Sequence, residues 1–165
     1  MKKIDLKDLS FNPTDLLEKR WGLLTVADGE GCNPMTVSWG GVGRLWNLPA
    51  VTVYVRPQRY TQGLMDKEDY FSLVFLPEEM HGAAVLCGTK SGRDTDKVKA
   101  CGLTVLRDEK APYFAEGELT FICRKLYAQD MAGEHFTDPA LDAEEYPQKD
   151  YHRMYIGEIV AVLQK

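Results

Sequence analysis

The sequence predicts a mainly β protein, a barrel of antiparallel strands with short helices on its periphery. Three observations lead there. Strand-like runs rich in Val, Thr and aromatic residues, bounded by Gly, Pro or Asn, occupy 21–27, 35–40, 49–55 and 71–76. Two long alternating segments, 117–131 and 151–164, have the pattern of closing strands. The helical stretches are short and do not alternate with strands one for one, which disfavours a doubly wound parallel sheet.

Along the chain, Asn12-Pro13 ahead of "TDLLEKR" reads as an N-cap, a proline at the first helical position and a short helix. The strands "WGLLTVA", "MTVSWG", "PAVTVYV" and "FSLVFL" follow, the second running into glycines that mark a bend or bulge. "GLTVL" (102–106) is a further short strand or edge. Helices are expected at 60–69, 79–88 and 93–102, the last with Asp94 or Thr95 as N-cap and Gly102 as its stop. "GELTFICRKLYAQDM" and "YHRMYIGEIVAVLQ" complete the barrel. No linker divides residues 1–165, which read as one domain able to bury about 70% of the surface its unfolded chain exposes.

Composition excludes several classes of function. Twenty-five acidic against 20 basic residues give a net charge of −5, and a general nucleic-acid surface is therefore not expected. No apolar run has membrane-spanning length, and "MKKIDLKDLSFNP" lacks the apolar core of a signal peptide. Cys32, Cys87, Cys101 and Cys123 are widely separated, without C-x-x-C or histidine at zinc spacing. No metal site is expected from them, and reduced thiols in a cytoplasmic protein are the simple reading.

Four stretches are candidates for chemistry. In "NPMTVSWGG" a strand carrying the Thr36 and Ser38 hydroxyls meets Trp39 and bare glycine backbone. That combination suits a flat heteroaromatic ligand as well as it suits a plain barrel strand. In "VRPQRYT", Arg56 and Arg59 flank a turn that enters a helix at Tyr60-Thr61. Guanidinium groups beside a helix N-terminus favour a phosphate. "CGTKSGRDTDK" places Lys90, Ser91, Arg93 and Lys97 in a second cationic loop without P-loop spacing, and its Asp94-x-Asp96 reads as helix capping rather than metal binding. Finally, His152 lies between Tyr151 and Tyr155 on a strand-like segment, His135 in a glycine-containing loop, and His81 at a helix start on the surface. No Ser-His-Asp, Cys-His or paired-carboxylate arrangement stands out. Two phosphate-friendly loops and an aromatic-walled strand point to a borrowed reactive group. The absence of G-x-G-x-x-G favours a mononucleotide over a dinucleotide.

Taken in order, "NPMTVSWG", "VRPQRYT", "CGTKSGRDTDK" and "YHRMYIGEI" resemble the flavin reductase-like, FMN-binding split-barrel family, nearest its flavoredoxin branch, over about residues 20–162. The resemblance implies a homodimer of six-stranded antiparallel split barrels with FMN at or near the subunit interface. Asn33, Thr36, Ser38 and Trp39 would then line the isoalloxazine, with Val37 among the cofactor-binding residues. Arg56, Arg59, Tyr60 and Thr61 would hold the ribityl phosphate. Ser91 and Lys97 would close over phosphate or ring, with Lys90 and Arg93 close by. The family's late strand often carries Gly-Asp-His where this chain has Asp150-Tyr151-His152. With flavin N5 as the reactive centre no catalytic side chain is required, and His152 is the candidate if there is one. The implied activity is hydride transfer from NADH or NADPH to the flavin. The alternatives are an electron carrier loaded by a protein partner and a non-redox ligand-binding module.

Overall fold

A computed structural model describes residues 1–165. Its strands are β1 (Lys2–Ile4), β2 (Gly22–Asp28), β3 (Gly31–Val37), β4 (Gly40–Leu45), β5 (Leu48–Val55), β6 (Tyr70–Phe75), β7 (Val105–Leu106), β8 (Tyr113–Phe114), β9 (Leu119–Asp130) and β10 (Arg153–Gln164). The helices are α1 (Pro13–Asp15), α2 (Tyr60–Lys67), α3 (His81–Thr89), α4 (Lys97–Ala100) and α5 (Pro139–Glu145). At α1 the Asn12 side chain accepts from the Thr14 and Asp15 amides, with Pro13 at the first helical position, and the helix continues as a π-helical turn over Leu16–Arg20.

One sheet of eight strands dominates, in the order β3-β2-β6-β9-β10-β5-β4, with β1 added to β10. β10 pairs with β9 along its length, while β5 takes its first half and β1 its last three residues. The sheet does not close. All six pairings from β3 round to β4 are antiparallel, so an even number of reversals leaves β3 and β4 running in the same direction. Only Ser38 and Trp39 join them, whereas parallel neighbours need a connection of about a dozen residues. β3 and β4 therefore act as two halves of one interrupted strand, the first half paired to β2 and the second to β5. The barrel is split where they meet. At the break Gly40 has φ 155°, and a Cβ there would lie 2.5 Å from the Thr52 carbonyl oxygen.

The core fills both sides of the sheet. Phe71, Leu73 and Phe75 of β6 enter the barrel interior with Phe121, Cys123 and Tyr155. The intervening Val74 packs outward with Phe114, Ile122 and Ala84, and Ser72 Oγ donates to the Pro112 carbonyl at 2.6 Å. Burial on both faces is why this strand reads as an unbroken apolar run.

The structure corrects several boundaries. The run 35–40 is not one strand: β3 begins at Gly31 and ends at Val37, and the glycines that follow form β4. Eight strands thus stand where the resemblance implies six. The split-barrel plan holds, with β1 and β4 as the additional strands. The helix expected over 93–102 is only α4, capped by Asp96, whose carboxylate accepts from the Lys99 amide, rather than by Asp94 or Thr95. Gly102, at φ 64°, does end it. The strand 102–106 shrinks to β7, and His152 falls just before β10 rather than on it.

β10 carries a register irregularity between Ile156 and Gly157, where the sheet brings Phe71 against the Gly157 backbone. A Cβ at Gly157 would meet Phe71 Cζ at 2.6 Å. Gly157→Ala is expected to lower unfolding free energy by about 1–3 kcal/mol, the usual cost of overpacking a filled core. The urea midpoint measures it, and combining the change with Phe71→Leu is expected to recover part of the loss.

Candidate functional site

Two adjoining cavities open at the split. The first, about 270 Å³, lies against β3 and the Ser38-Trp39 link, with Tyr54 of β5, Gly88 of α3 and His152 completing its walls. The second, about 200 Å³, lies between the start of α2 and the loop from α3 to α4. Met35 and Arg59 line both, so Arg59 stands at the junction, its Nη1 donating to the Gly88 carbonyl at 2.8 Å.

Of the sequence candidates, Thr36, Val37, Ser38, Trp39, Arg56 and His152 come together in the first cavity. Trp39 is 45% exposed and its ring lies 5.2 Å from that of His152. The Thr36 hydroxyl is engaged, donating to the Ala84 carbonyl, which leaves the Ser38 hydroxyl, on the link that follows β3, free. His152 is buried, and its Nδ1 shares a hydrogen with the Tyr146 hydroxyl at 2.8 Å. Burial, reinforced by the nearby Arg56 charge and opposed by Asp150, pushes its pKa down to about 4, so the ring is neutral at pH 7.

Arg59, Tyr60, Thr61, Lys90, Ser91, Arg93 and Lys97 come together in the second cavity. α2 begins there with no side-chain cap, leaving first-turn amides available. Arg59, Lys90, Arg93 and Lys97 are absent from the eight ion pairs of the protein. Lys97 is only 4% exposed, and its one polar contact is to the Cys87 carbonyl at 3.5 Å. Burial brings its pKa down to about 8. A buried, uncompensated ammonium beside a free helix start is arranged to receive an anion.

Two candidates are placed differently from the rest of their motifs. Arg56 does not reach the second cavity. Its Nη1 donates to Asp150 at 2.7 Å and its Nη2 to the Glu145 carbonyl at 2.9 Å, and its guanidinium lies over the Tyr146 ring. Asn33 lines neither cavity. Its amide donates to Thr61 Oγ1 at 2.8 Å, and Gly92 packs so closely that a Cβ there would meet Asn33 Oδ1 at 2.1 Å. Asn33 thus braces the α3–α4 loop from beneath. His135 and His81 lie outside both cavities, the His81 ring packing at a tilt against Trp21 with centroids 4.5 Å apart.

Sequence reasoning missed Tyr54 and Tyr146. Tyr54 alternates with the buried Val53 and Val55, and that period alone aims it at the opposite face, toward the cavity. Tyr146 follows α5 in a stretch without strand or helix periodicity, and no local signal marks it.

The sequence matches the family described as flavin reductase like domain over residues 18–165. No curated protein sequence matches it. Among solved structures it is similar to the flavoredoxin of Methanosarcina acetivorans, at 22% identity and a TM-score of 0.71, covering 100% of this chain and 76% of the other. It is similar also to the flavoredoxin of Desulfovibrio vulgaris (Miyazaki F), at 20% identity and 0.69, covering 100% and 77%. A third is an FMN-binding protein from Thermus thermophilus with bound 1-cyclohex-2-enone, at 21% identity and 0.68, covering 99% and 78%. The fold is therefore that of the FMN-binding split barrels. The chain belongs to the flavin reductase like domain family. No helix is long and apolar enough to cross a membrane.

The neutral imidazole makes stability depend on pH. An unfolded histidine titrates near 6.5 and folded His152 near 4, so between these values the unfolded chain holds a proton that the folded one lacks. Stability from this source is complete above pH 6.5 and declines as pH falls toward 4, by about 3 kcal/mol at most. Urea unfolding at pH 7 and pH 4 is expected to show this decline in the native protein and a smaller one in His152→Gln.

Proposed function

We propose that the chain is an FMN-dependent oxidoreductase that takes hydride from NADH or NADPH, with the ring in the first cavity and the ribityl phosphate in the second. The observation that carries the reading is their junction: an aromatic-walled slot continuous, at Arg59, with four cations free of carboxylate partners. The residues present fit such a cofactor in donor chemistry. Arg59, Lys90, Arg93, Lys97 and the first turn of α2 would bind the phosphate. Each cation within about 4 Å of a phosphate charge contributes ~4 kcal/mol at an effective dielectric near 20, before desolvation is subtracted. Ser38 and the backbone at the Ser38-Trp39 link would hydrogen-bond the polar edge of the ring, and Trp39 would shield one face from water. When bound, FMN supplies the two-electron chemistry. His152 stays neutral with its Nδ1 hydrogen-bonded to the Tyr146 hydroxyl, so it acts as a wall and not as a general acid.

We further propose a homodimer, because the exposed Trp39 and the one-sided pairing of β3 and β4 leave the mouth of the slot uncovered within one chain. Light scattering is expected to give twice the chain mass. A second reading, an electron carrier loaded by a protein donor, is favoured by the same exposure of Trp39. The purified protein is expected to be yellow, and anaerobic NADH or NADPH to bleach the flavin's visible bands. If neither does but a reduced ferredoxin succeeds, the carrier reading replaces the reductase. Arg59→Ala with Lys97→Met is expected to weaken FMN retention by about a hundredfold, ~2.7 kcal/mol, with little change in the urea midpoint.

A further inference from the structure

We infer that the chain holds a second small-molecule site, a third cavity that takes an uncharged aromatic compound of one or two rings beside the FMN slot. That neighbour, though not the site itself, rests on the reading of the first cavity. The third cavity, about 250 Å³, is walled by Trp39, Tyr54, Met131, Phe136, Leu141 and Tyr146. Trp39 and Tyr54 also line the first cavity, so these two rings form a wall common to both. A cavity of about 150 Å³ suffices for benzene, and the present volume suits a substituted ring or a fused pair. Aromatic and thioether walls favour a flat π-system, met edge-to-face or offset.

The walls are held in place. Besides its bond to His152, Tyr146 packs against Phe136 and Tyr151, with ring centroids 5.7 and 4.9 Å apart. The Tyr151 hydroxyl donates to Asp142 of α5 at 2.8 Å, and the Met131 amide donates to the His152 carbonyl at 2.9 Å. Arg56 fixes the chain at the Glu145 carbonyl. A preformed wall leaves less ordering cost for binding.

Charge selects the occupant. Apart from phenols, Glu145 is the single ionisable residue in the lining. The nearby cation, Arg56, is already paired with Asp150, and the unpaired cations lie at the second cavity. An anion here would lose hydration and find no compensating cation, and a cation would lose hydration for one half-solvated carboxylate. A neutral ring gives up the least.

Isothermal titration of the protein as purified, its flavin content recorded by absorbance, tests the site with 2-naphthol, 2-naphthoate and N-methylquinolinium. Leu141 is 48% exposed at the rim and lines neither of the other two cavities, so Leu141→Arg reports on this site alone. The expected result is saturable binding of 2-naphthol, with both charged probes about tenfold weaker. Leu141→Arg is expected to weaken 2-naphthol roughly fivefold or more and to favour the carboxylate, with flavin content unchanged. Equal binding of the three probes, preference for the cation, or indifference to Leu141→Arg overturns the proposal. So does the absence of binding, which would leave the cleft to a second copy of the chain. A colourless protein that still binds 2-naphthol in a Leu141-dependent way sinks the FMN reading and keeps this one.

Discussion

β3 and β4 are consecutive in the chain, point the same way and are joined by two residues, so no hydrogen-bond ladder can form between them. This constraint of connectivity and parity places everything else. The barrel has to open at Ser38-Trp39, and there a large aromatic and a hydroxyl stand beside backbone released from the sheet. The continuous pairing of the other strands, above all the long β9–β10 pair, and the aromatic interior behind it supply the rigidity that lets this opening persist. The cavities are a consequence of topology before they are a consequence of side-chain choice.

Charge is segregated around that opening. Arg153 pairs with Asp66 and Asp130, Arg124 with Glu158, and Arg56 with Asp150, all on or beside the sheet away from the α3–α4 loop. The four cations of the loop and the α2 start have no such partners. A fold that pairs Arg56 beside the first cavity and leaves the group at the second without carboxylate partners concentrates positive potential at one end of the slot. The opposite end, with its imidazole discharged by burial and its arginine already paired, has almost no field of its own. A guest with one charged end and one uncharged end is oriented before any specific contact forms.

The sequence shows the strong periodicities and hides what depends on distant parts of the chain. β2, β5, β6, β9 and β10 are legible because alternation or continuous apolar character marks them. β4 is not, because "GGVGRL" has almost no side chains to alternate, and its hairpin turns through Trp46 and Asn47, at φ 50° and 61°, without the Asn-Gly or Asp-Gly pair that announces such a turn. The cavities bring Ser38 beside Trp39, and Arg59 and Thr61 beside Lys97, as the motif order implies, while the place of His152 beside the first pair comes from the fold. The separation of Arg56 from Arg59 is invisible locally. It follows from Asp150, 94 residues away, which draws the guanidinium toward the aromatic wall. Asn33 is misleading for a similar reason: a polar side chain on a ligand-lining strand turns inward because Thr61 gives it a partner there.

The chain is not equally tolerant of added length in its two irregular regions. Between β9 and β10, the exposed residues 137–138 ahead of α5 form a surface turn, and such a segment accepts insertions at a small entropic cost. Between β3 and β4 the situation is the opposite. One extra residue there would shift β4 by half a pleat against β5, exchanging its inward and outward faces and displacing the indole from the mouth of the slot. Divergent relatives that preserve this pocket should therefore vary in the length of the β9–β10 connection ahead of α5 and hardly at all in the span between those two half-strands.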